Sequence, residues 1–360
     1  MNPERTGRQA TALRLAWAGA FAAVLAGVLP ATAAPIDPLE LPAAASPLAA
    51  RGPLFAIARA GTRLVAVGQR GHILTSDDNG AHWLQAEVPV STDLVAVHFP
   101  SAQQGWAVGH DGVILHSADG GRRWVRQLDG RQVAALLIEA YANRTGSTEA
   151  DAALVEARRM SADGPDLPFL DVWFTDERNG YAVGAFNLIF ATNDGGAHWR
   201  AASDLADNPK GYHLYGIRAV GDEIYMVGEL GLVLRLNRAS QRFSALPTPY
   251  AGTFFGLLAT PDLLLAYGLR GNAWRSRDGG KSWQQVDTGV LTGLTGATLL
   301  GDGRIALVSQ GGQVLLSRDK GASFQLVTGI KPQPIFGVGA AGSGALALVG
   351  ARGVRIEVLE

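Results

Sequence analysis

The 360-residue sequence contains no cysteine. This absence excludes a disulfide framework, a thiolate metal site and a cysteine nucleophile, and it leaves no cysteine for a lipoprotein anchor. The formal net charge is only −1, so no global electrostatic field would recruit nucleic acid. The seven histidines are scattered, and no pair has ligand spacing on one predicted element. We therefore expect no metal site, no cofactor and no nucleic-acid partner.

Glycine, in contrast, is abundant, with 46 residues, and it recurs in an octet of the form Ser/Thr-x-Asp-x-Gly-x-x-aromatic. A fixed period of this kind has to be interpreted before any other feature, because it determines the fold. The Asp can accept hydrogen bonds from its own turn, the Gly can adopt positive φ, and the aromatic can pack on a neighbouring unit. The predicted structural residues of these octets are Asp78, Asp119, Asp194, Asp278, Asp319, Trp83, Trp124, Trp199, Trp283 and Phe324.

A strand–turn–strand pattern built around paired glycines precedes each octet, and it occurs seven times in all. The fourth unit keeps the hairpin but has Arg238 where the octet has its Asp. A period of about forty residues accommodates four short strands, which is typical of a propeller blade. We therefore predict an all-β fold, a seven-bladed β-propeller over residues 53–360. The blades are placed at about 53–90, 91–130, 167–205, 211–247, 252–289, 292–329 and 334–360.

One segment, at about 129–164, interrupts the period between blades 2 and 3. Apolar residues at helical spacing from Val133 to Tyr141 predict a first amphipathic helix. Ser147 or Thr148 could cap a second helix, which the Asp163-Gly164-Pro165 sequence would end. The segment is predicted to be an inserted helical hairpin, acting either as a lid or as an interface.

The amino terminus has the pattern of a secretory signal over residues 1–33. Arg5, Arg8 and Arg14 precede an apolar run, and Ala31-Thr32-Ala33 supplies a small-residue cleavage site. We expect an exported, periplasmic protein that is soluble after cleavage, with an uncleaved anchor as the alternative. Residues 34–52 are predicted to close the last blade, with residues 36 to 41 as its outer strand. The alternative for this segment is a disordered tail.

The repeat phrases Gly105-Trp106-Ala107-Val108-Gly109 and Gly180-Tyr181-Ala182-Val183-Gly184, followed by octets, carry a family resemblance. The chain resembles the photosystem II stability/assembly-factor-like propellers, a branch of the sialidase-type Asp-box (BNR repeat) proteins. The resemblance covers essentially everything after the signal. It implies a non-enzymatic propeller that helps to assemble a membrane-protein complex, and its photosynthetic members bind a nascent reaction-centre subunit through arginines on one face. Non-photosynthetic bacterial relatives resemble proteins associated with exporters of the resistance-nodulation-division (RND) type. The inserted helices depart from the bare repeat and leave the partner open.

Propeller geometry places the hairpin tips and the blade-to-blade loops on one face and the octet turns on the other. Loops held on a rigid ring are where binding normally occurs. Arginines with nearby aromatics would suit an acidic or carboxylate-bearing partner, although the tips could also be simply solvated. The predicted partner-binding residues are Arg70, His110, Asp111, Asn187, Glu229, Tyr250, Phe254, Phe255, Arg270, Gln310 and Arg352.

Catalysis by this chain is disfavoured, and we predict no catalytic residue. A sialidase needs several acidic groups around its arginines, but Asp111, Glu229 and the inner-strand Asp171 are the few candidates. The Phe/Tyr-Arg-Ile-Pro signature and the Gly-x-Ser-x-Gly elbow are both missing. The leading hypothesis is an exported, non-enzymatic scaffold or assembly factor for a membrane protein. The alternatives are a periplasmic accessory of an RND-type exporter of lipids or hydrophobic molecules and, from a different class, a sialidase-like glycan hydrolase or lectin.

Overall fold

Seven antiparallel sheets follow one another along the chain in the computed structural model, which describes residues 36–142, 148–164 and 166–359. Within each sheet every strand pairs with the next strand in sequence. The innermost strands of consecutive sheets contact one another, and the first sheet contacts the last, so the sheets close into a ring. The predicted seven-bladed β-propeller is confirmed.

The strands are numbered in chain order and grouped by blade. Blade 1 contains β1 (Leu54–Ala60), β2 (Arg63–Gly68), β3 (Ile73–Ser76) and β4 (Leu84–Gln85); blade 2 contains β5 (Leu94–His98), β6 (Gly105–Gly109), β7 (Ile114–Ser117) and β8 (Val125–Leu128). Blade 3 contains β9 (Phe169–Phe174), β10 (Gly180–Gly184), β11 (Ile189–Thr192) and β12 (Arg200–Ala201); blade 4 contains β13 (Leu214–Val220), β14 (Glu223–Gly228), β15 (Val233–Asn237) and β16 (Arg242–Leu246). Blade 5 contains β17 (Phe254–Thr260), β18 (Leu263–Gly268), β19 (Ala273–Ser276) and β20 (Gln284–Val286); blade 6 contains β21 (Leu294–Leu299), β22 (Ile305–Ser309), β23 (Val314–Ser317) and β24 (Gln325–Leu326). Blade 7 contains β25 (Ile335–Ala340), β26 (Ala345–Gly350) and β27 (Gly353–Val358).

Two helices, α1 (Gly130–Tyr141) and α2 (Thr148–Asp163), lie between blades 2 and 3, which confirms the predicted helical insertion. Asp129 caps α1, because its carboxylate accepts the Arg131 N–H at 3.0 Å while the Gln132 side chain accepts the Asp129 N–H. The predicted cap residue Ser147 lies outside the described residues. In the parts of the chain that the structure describes, no helix combines the length and the apolar character needed to cross a bilayer.

The five octets form closed hydrogen-bonded turns. In the first, the Ser76 hydroxyl donates to Asp78 Oδ1 and accepts the Gly80 N–H, both at 2.8 Å, and the same carboxylate oxygen accepts the His82 N–H at 2.9 Å. The other four octets repeat these contacts. Blade 4 lacks the octet, and there the Asn237 side chain accepts the turn N–H groups instead. The turn chemistry is therefore local, and each octet uses its own serine or threonine and aspartate.

The octet aromatics pack between blades. Trp124 of blade 2 belongs to one apolar cluster with Val65 of blade 1, and Phe324 of blade 6 packs with Leu265 of blade 5. Each aromatic therefore buries its ring against the preceding blade.

A second recurring contact fixes the hairpin tips to the ring. The first tip residue donates its N–H to the carbonyl that precedes the innermost strand of the same blade, as from Ala185 to Pro168 at 3.2 Å. The glycine before the tip is needed for this close approach, because a Cβ at Gly184 would lie 2.2 Å from the Pro168 carbonyl oxygen. Its φ of −167° is ordinary extended backbone, so the requirement is one of space.

Residues 38–52, which we call the strap, run from blade 2 across blade 1 to blade 7 on the side of the hairpin tips. The Pro38 carbonyl accepts the Ser91 N–H at 2.9 Å, and the Ala43 N–H donates to Val88 at 3.1 Å. At the far end the Ala50 carbonyl lies so close to Gly353 that a Cβ there would be 1.9 Å away. The strap therefore spans three blades at the junction where the ring closes.

The strap differs from the outer strand predicted over residues 36 to 41. Pro38–Glu40 is a 3-10 turn, and β27 is the last strand of blade 7 among the described residues. The physical reason is that Pro38 and Pro42 have no N–H to donate to a strand ladder, while Leu39 is buried instead, at 1% exposure.

Candidate binding face

The hairpin tips hold exposed side chains in an unfavourable backbone conformation. The second tip residue has positive φ at Arg70 (57°), Asp111 (56°), Phe186 (50°), Leu230 (51°) and Arg270 (56°). The left-handed region costs a residue with a Cβ about 1–2 kcal/mol. All of these except Asp111 are exposed, and Phe186 alone of the exposed four has a ring contact, with His213 at 4.5 Å, so side-chain packing offsets little of that cost. Backbone strain of this kind is frequent at functional sites, including surfaces that hold ligands.

Two arginine tips and most of the exposed apolar side chains occupy different parts of this face. Arg352 and Arg70 lie on the adjacent blades 7 and 1 and form what we call the cationic sector. The apolar arc covers blades 3 to 5 and the loop that leads to blade 6. Its members, with their exposed fractions, are Phe186 (51%), Leu230 (57%), Leu269 (39%) and Leu291 (89%). Arg270 is the one arginine tip within this arc, and it lies between Leu269 and Leu291 in the chain.

A ring of seven side chains, which we call the mouth ring, surrounds the axis on the same face. Each innermost strand has a register shift of one residue near its start, a β-bulge. A bulge re-aims the side chain of the extra residue. The seven bulged residues all line one axial cavity of about 170 Å³, and they are Phe55, Val95, Leu170, Tyr215, Phe255, Thr295 and Phe336.

Aromatic contacts connect the mouth ring across blade boundaries. The Phe55 and Phe336 rings are 5.8 Å apart, and the Tyr215 and Phe255 rings are 5.6 Å apart at a steep angle. All four rings are partly exposed to the cavity. Sequence reasoning found only Phe255. The sequence does contain a signal for the other six, because each mouth-ring residue is the second residue of an apolar innermost strand.

A buried ion pair, Asp171–Arg218, lies within the same cavity. The Asp171 carboxylate accepts a hydrogen bond from the Arg218 guanidinium at 2.5 Å and from the Ile217 N–H at 2.9 Å. Burial opposes the charge of Arg218, but the adjacent carboxylate outweighs it, and the pKa of the guanidinium stays above its usual value. Asp171 therefore joins blades 3 and 4, and its engaged carboxylate is not placed to serve as a catalytic acid.

His98 provides the matching contact between blades 2 and 3. Its ring stacks on Trp173 with centroids 3.9 Å apart, and its Nδ1 accepts the Phe174 N–H at 3.1 Å. Burial, and to a smaller extent the positive charge of Arg218, lower the pKa of His98 to about 3. The ring is therefore neutral across the physiological range, and its role is to pack and to accept a hydrogen bond.

Several predicted contact residues are exposed on the face, and two are not. Arg70, His110, Arg270, Gln310 and Arg352 are exposed. Phe254 and Asn187 do not lie on the exposed face, because Phe254 is fully buried and Asn187 is 5% exposed. Phe254 directly precedes the bulge and so points into the blade, whereas the Asn187 amide donates to the Ser203 carbonyl at 3.0 Å.

The remaining predicted residues brace the loops of the face. Asp111 accepts a hydrogen bond from the Thr92 hydroxyl, and Glu229 accepts the His213 N–H at 2.8 Å. The Tyr250 hydroxyl donates to the Leu269 carbonyl at 3.3 Å. These three side chains hold neighbouring tips and loops in place, and Phe255 belongs to the mouth ring.

The inserted helices flank the face at blades 2 and 3. A cavity of about 190 Å³ separates α2, at Ala153, from the tip residue Phe186. Among the described residues, none of those lining the axial cavity belongs to α1 or α2. Within the same described ranges no group of histidine, aspartate and glutamate side chains could hold a metal ion.

The family model named "Photosynthesis system II assembly factor YCF48" matches residues 56–141 and 159–252, which is half of the chain. The chain belongs to this family. The match covers blades 1 to 4 with α1 and part of α2, so the mouth-ring residues Val95, Leu170 and Tyr215 lie within it.

Curated relatives carry the same description. The "Photosystem II assembly lipoprotein Ycf48" of Synechococcus sp. (strain CC9902) is 29% identical over 198 residues, covering 52% of this chain and 58% of the relative. The "Photosystem II stability/assembly factor HCF136, chloroplastic" of Oryza sativa subsp. japonica is 25% identical over 271 residues, covering 72% of this chain and 50% of the relative. The chain thus spans about half the length of the curated relatives it matches. Neither relative is described as an exporter accessory or a glycosidase.

Solved structures show the same fold at low identity. The structure described as "YCF48 bound to D1 peptide" matches with a TM-score of 0.63 and 15% identity, covering 86% of this chain and 94% of the other. The WD40 propeller domain of Doa1 matches nearly as well, with a TM-score of 0.59, 10% identity and coverage of 88% and 95%. These two likenesses therefore concern the propeller fold alone.

Proposed function

We propose that this protein is a non-enzymatic assembly factor that holds a segment of a membrane protein on the hairpin-tip face. The observation that carries the proposal is the mouth ring, in which seven bulges direct side chains into one axial cavity. Four of the seven are aromatic, and partly exposed aromatics in a pocket are frequent binding hot spots.

The surroundings of the mouth ring suit a partner segment that carries both apolar and acidic groups. The apolar arc offers exposed Phe and Leu side chains on one side of the face. The cationic sector offers two guanidinium groups on the other side, which can form charge-assisted hydrogen bonds with carboxylates. Family membership supports the same class of partner, and one solved family structure is described as bound to a D1 peptide.

The proposal also includes export. The basic and apolar pattern of residues 1–33 supports it, although that segment lies outside the described residues. The relatives named above include a lipoprotein, whereas these 360 residues contain no cysteine that a lipid could modify. Amino-terminal sequencing of the protein recovered from the periplasm should begin near Ala34, and retention of residues 1–33 would contradict cleavage.

A fluorescent D1 peptide provides the direct test. We expect it to bind the wild-type protein and to bind Phe255→Ala at least about tenfold more weakly, because an aromatic hot spot contributes about 2 kcal/mol. The Arg70→Glu/Arg352→Glu variant should also bind more weakly and lose most of the salt dependence of binding. Fluorescence anisotropy at two salt concentrations measures both effects.

Arg277→Glu/Arg318→Glu is the matched control, because both arginines are exposed on octet turns at the opposite face. It makes the same change in net charge and should leave peptide affinity unchanged. Equal weakening by both charge variants would contradict the assignment of the face. Failure of the wild-type protein to bind the peptide would contradict this class of partner.

A further inference from the structure

In blade 7, the outer edge of β27 has no partner strand among the described residues. β27 is six residues long, and no residue within 36–142, 148–164 or 166–359 pairs with its outer side. The outer strands of blades 1, 3 and 6 are only two residues long. Natural sheets usually protect an edge by making it short or by covering it. Among the described residues β27 has neither protection along Val354–Val358, because it is six residues long and the strap approaches it at Gly353.

The pairing of β27 with β26 determines which of its backbone groups point outward. Ala351 and Arg352 form a two-residue turn, so Gly350 and Gly353 are a hydrogen-bonding pair, and such pairs alternate along the ladder. The N–H and C=O groups of Val354, Ile356 and Val358 therefore point away from β26. An added strand would find three residues ready to pair.

We propose that β27 pairs antiparallel with β27 of a second copy of this chain, joining two propellers through one continuous sheet. In the symmetric register Ile356 lies opposite Ile356 of the second copy, and Val354 lies opposite Val358. All three outward-facing residues then meet outward-facing residues, which gives three hydrogen-bonding pairs.

Charge complementarity selects this register. In it Arg355 lies directly opposite Glu357 of the second copy, and the pair occurs twice by symmetry. A shift of two residues toward either end keeps the backbone pairing possible but places Arg355 opposite Arg355 or Glu357 opposite Glu357. Like charges directly opposite each other destabilise a strand pair.

The side chains of β27 are arranged for the same contact. Arg355 Nε and Glu357 Oε1 are 3.4 Å apart, so both lie on one side of the strand, toward blade 6, where Arg355 also donates to the Lys331 carbonyl. Val358 is 80% exposed, and pairing would place it beside Val354 of the second copy. The dimer thus covers the exposed valine as well as the outward-facing backbone groups of Val354, Ile356 and Val358.

Sedimentation velocity over a wide concentration range tests the proposal on the full chain. The wild-type protein should show a reversible monomer–dimer equilibrium. Glu357→Arg should weaken self-association by at least about tenfold, because it places arginine opposite arginine twice. Val358→Pro should weaken it as well, since it removes an outward N–H without touching the ladder to β26.

Mixing two charge-reversed variants gives the most specific test of the register. Glu357→Arg mixed with Arg355→Glu restores opposite charges at both positions, so the mixture should form heterodimers more tightly than either variant associates with itself. Leu84→Arg, on the exposed outer strand of the complete blade 1, is the matched control and should dimerise like wild type.

A monomeric wild-type protein at all concentrations would overturn the proposal. A dimer that is insensitive to both Glu357→Arg and Val358→Pro would also overturn it, since the interface would then lie elsewhere. Thermal unfolding of each variant shows whether it is folded. If Arg355→Glu does not fold, sedimentation of Glu357→Arg and Val358→Pro still tests the interface.

Discussion

Replacing Asp171 with alanine should destabilise the propeller, because the substitution leaves the Arg218 guanidinium without its counter-ion. Removing one partner of a buried ion pair costs about 3–5 kcal/mol. The Arg218 side chain is 29% exposed to the axial cavity, so water can partly replace the lost carboxylate. We therefore expect a loss at or just below the lower end of that range, about 2–3 kcal/mol.

Because the propeller is large, this loss of free energy of unfolding lowers the melting temperature only modestly. The unit from Pro38 to Glu360 unfolds with an entropy of about 2 cal/mol/K per residue, or about 0.7 kcal/mol/K in total. A loss of 2–3 kcal/mol then lowers Tm by about 3–4 °C. Differential scanning calorimetry resolves a shift of this size.

Two further variants distinguish the effect of breaking the buried ion pair from the general effect of a substitution. Asp171→Ala/Arg218→Met removes both charges and should recover most of the lost stability, because it leaves no uncompensated ion. Asp222→Ala breaks the exposed Asp222–Arg238 pair, at 2.8 Å, and should change the free energy of unfolding by less than about 1 kcal/mol. A double variant no more stable than Asp171→Ala alone would refute the reasoning.

Two other predictions concern the recurring turns. The N–H of Ser323, with the hydroxyls of Ser323 and Ser317, lowers the pKa of Asp319 to about 2; because this folded-state pKa lies below the unfolded value, the stabilisation is present above about pH 4 and is lost as the pH falls toward 2. Tm should therefore fall less between pH 5 and pH 3 in Asp319→Asn than in wild type, and an equal fall would contradict the assignment. Gly184→Ala should cost about 1–3 kcal/mol in urea unfolding, because its Cβ would lie 2.2 Å from the Pro168 carbonyl oxygen. Gly301→Ala is the matched control, because a Cβ added there would meet no heavy atom within 4 Å; an unchanged Gly184→Ala would contradict the close-approach argument.

The parts of the fold that could be predicted are those whose interactions are local in the chain. Each octet closes its hydrogen bonds within eight residues, so its Asp, Gly and aromatic form a signature that can be counted. The helical insertion was predictable for the same reason, because the spacing of apolar residues and a capping residue such as Asp129 are both local in the sequence.

The binding face was only partly predictable, because exposure in a strand depends on register. Phe254 and Phe255 are adjacent and chemically alike, yet one is buried in the blade and the other lines the axial cavity. A one-residue bulge decides which is which, and a one-residue shift exchanges the two faces of a strand. Phe55, Tyr215 and Phe336 escaped prediction for this reason.

The order of elements, the number of blades and the place of the helices thus follow from short-range patterns in the amino acids. The convergence of seven bulged residues on one axis and the Asp171–Arg218 pair required the closed ring. These features join residues far apart in the chain, and their pairing depends on how the blades meet rather than on any local preference.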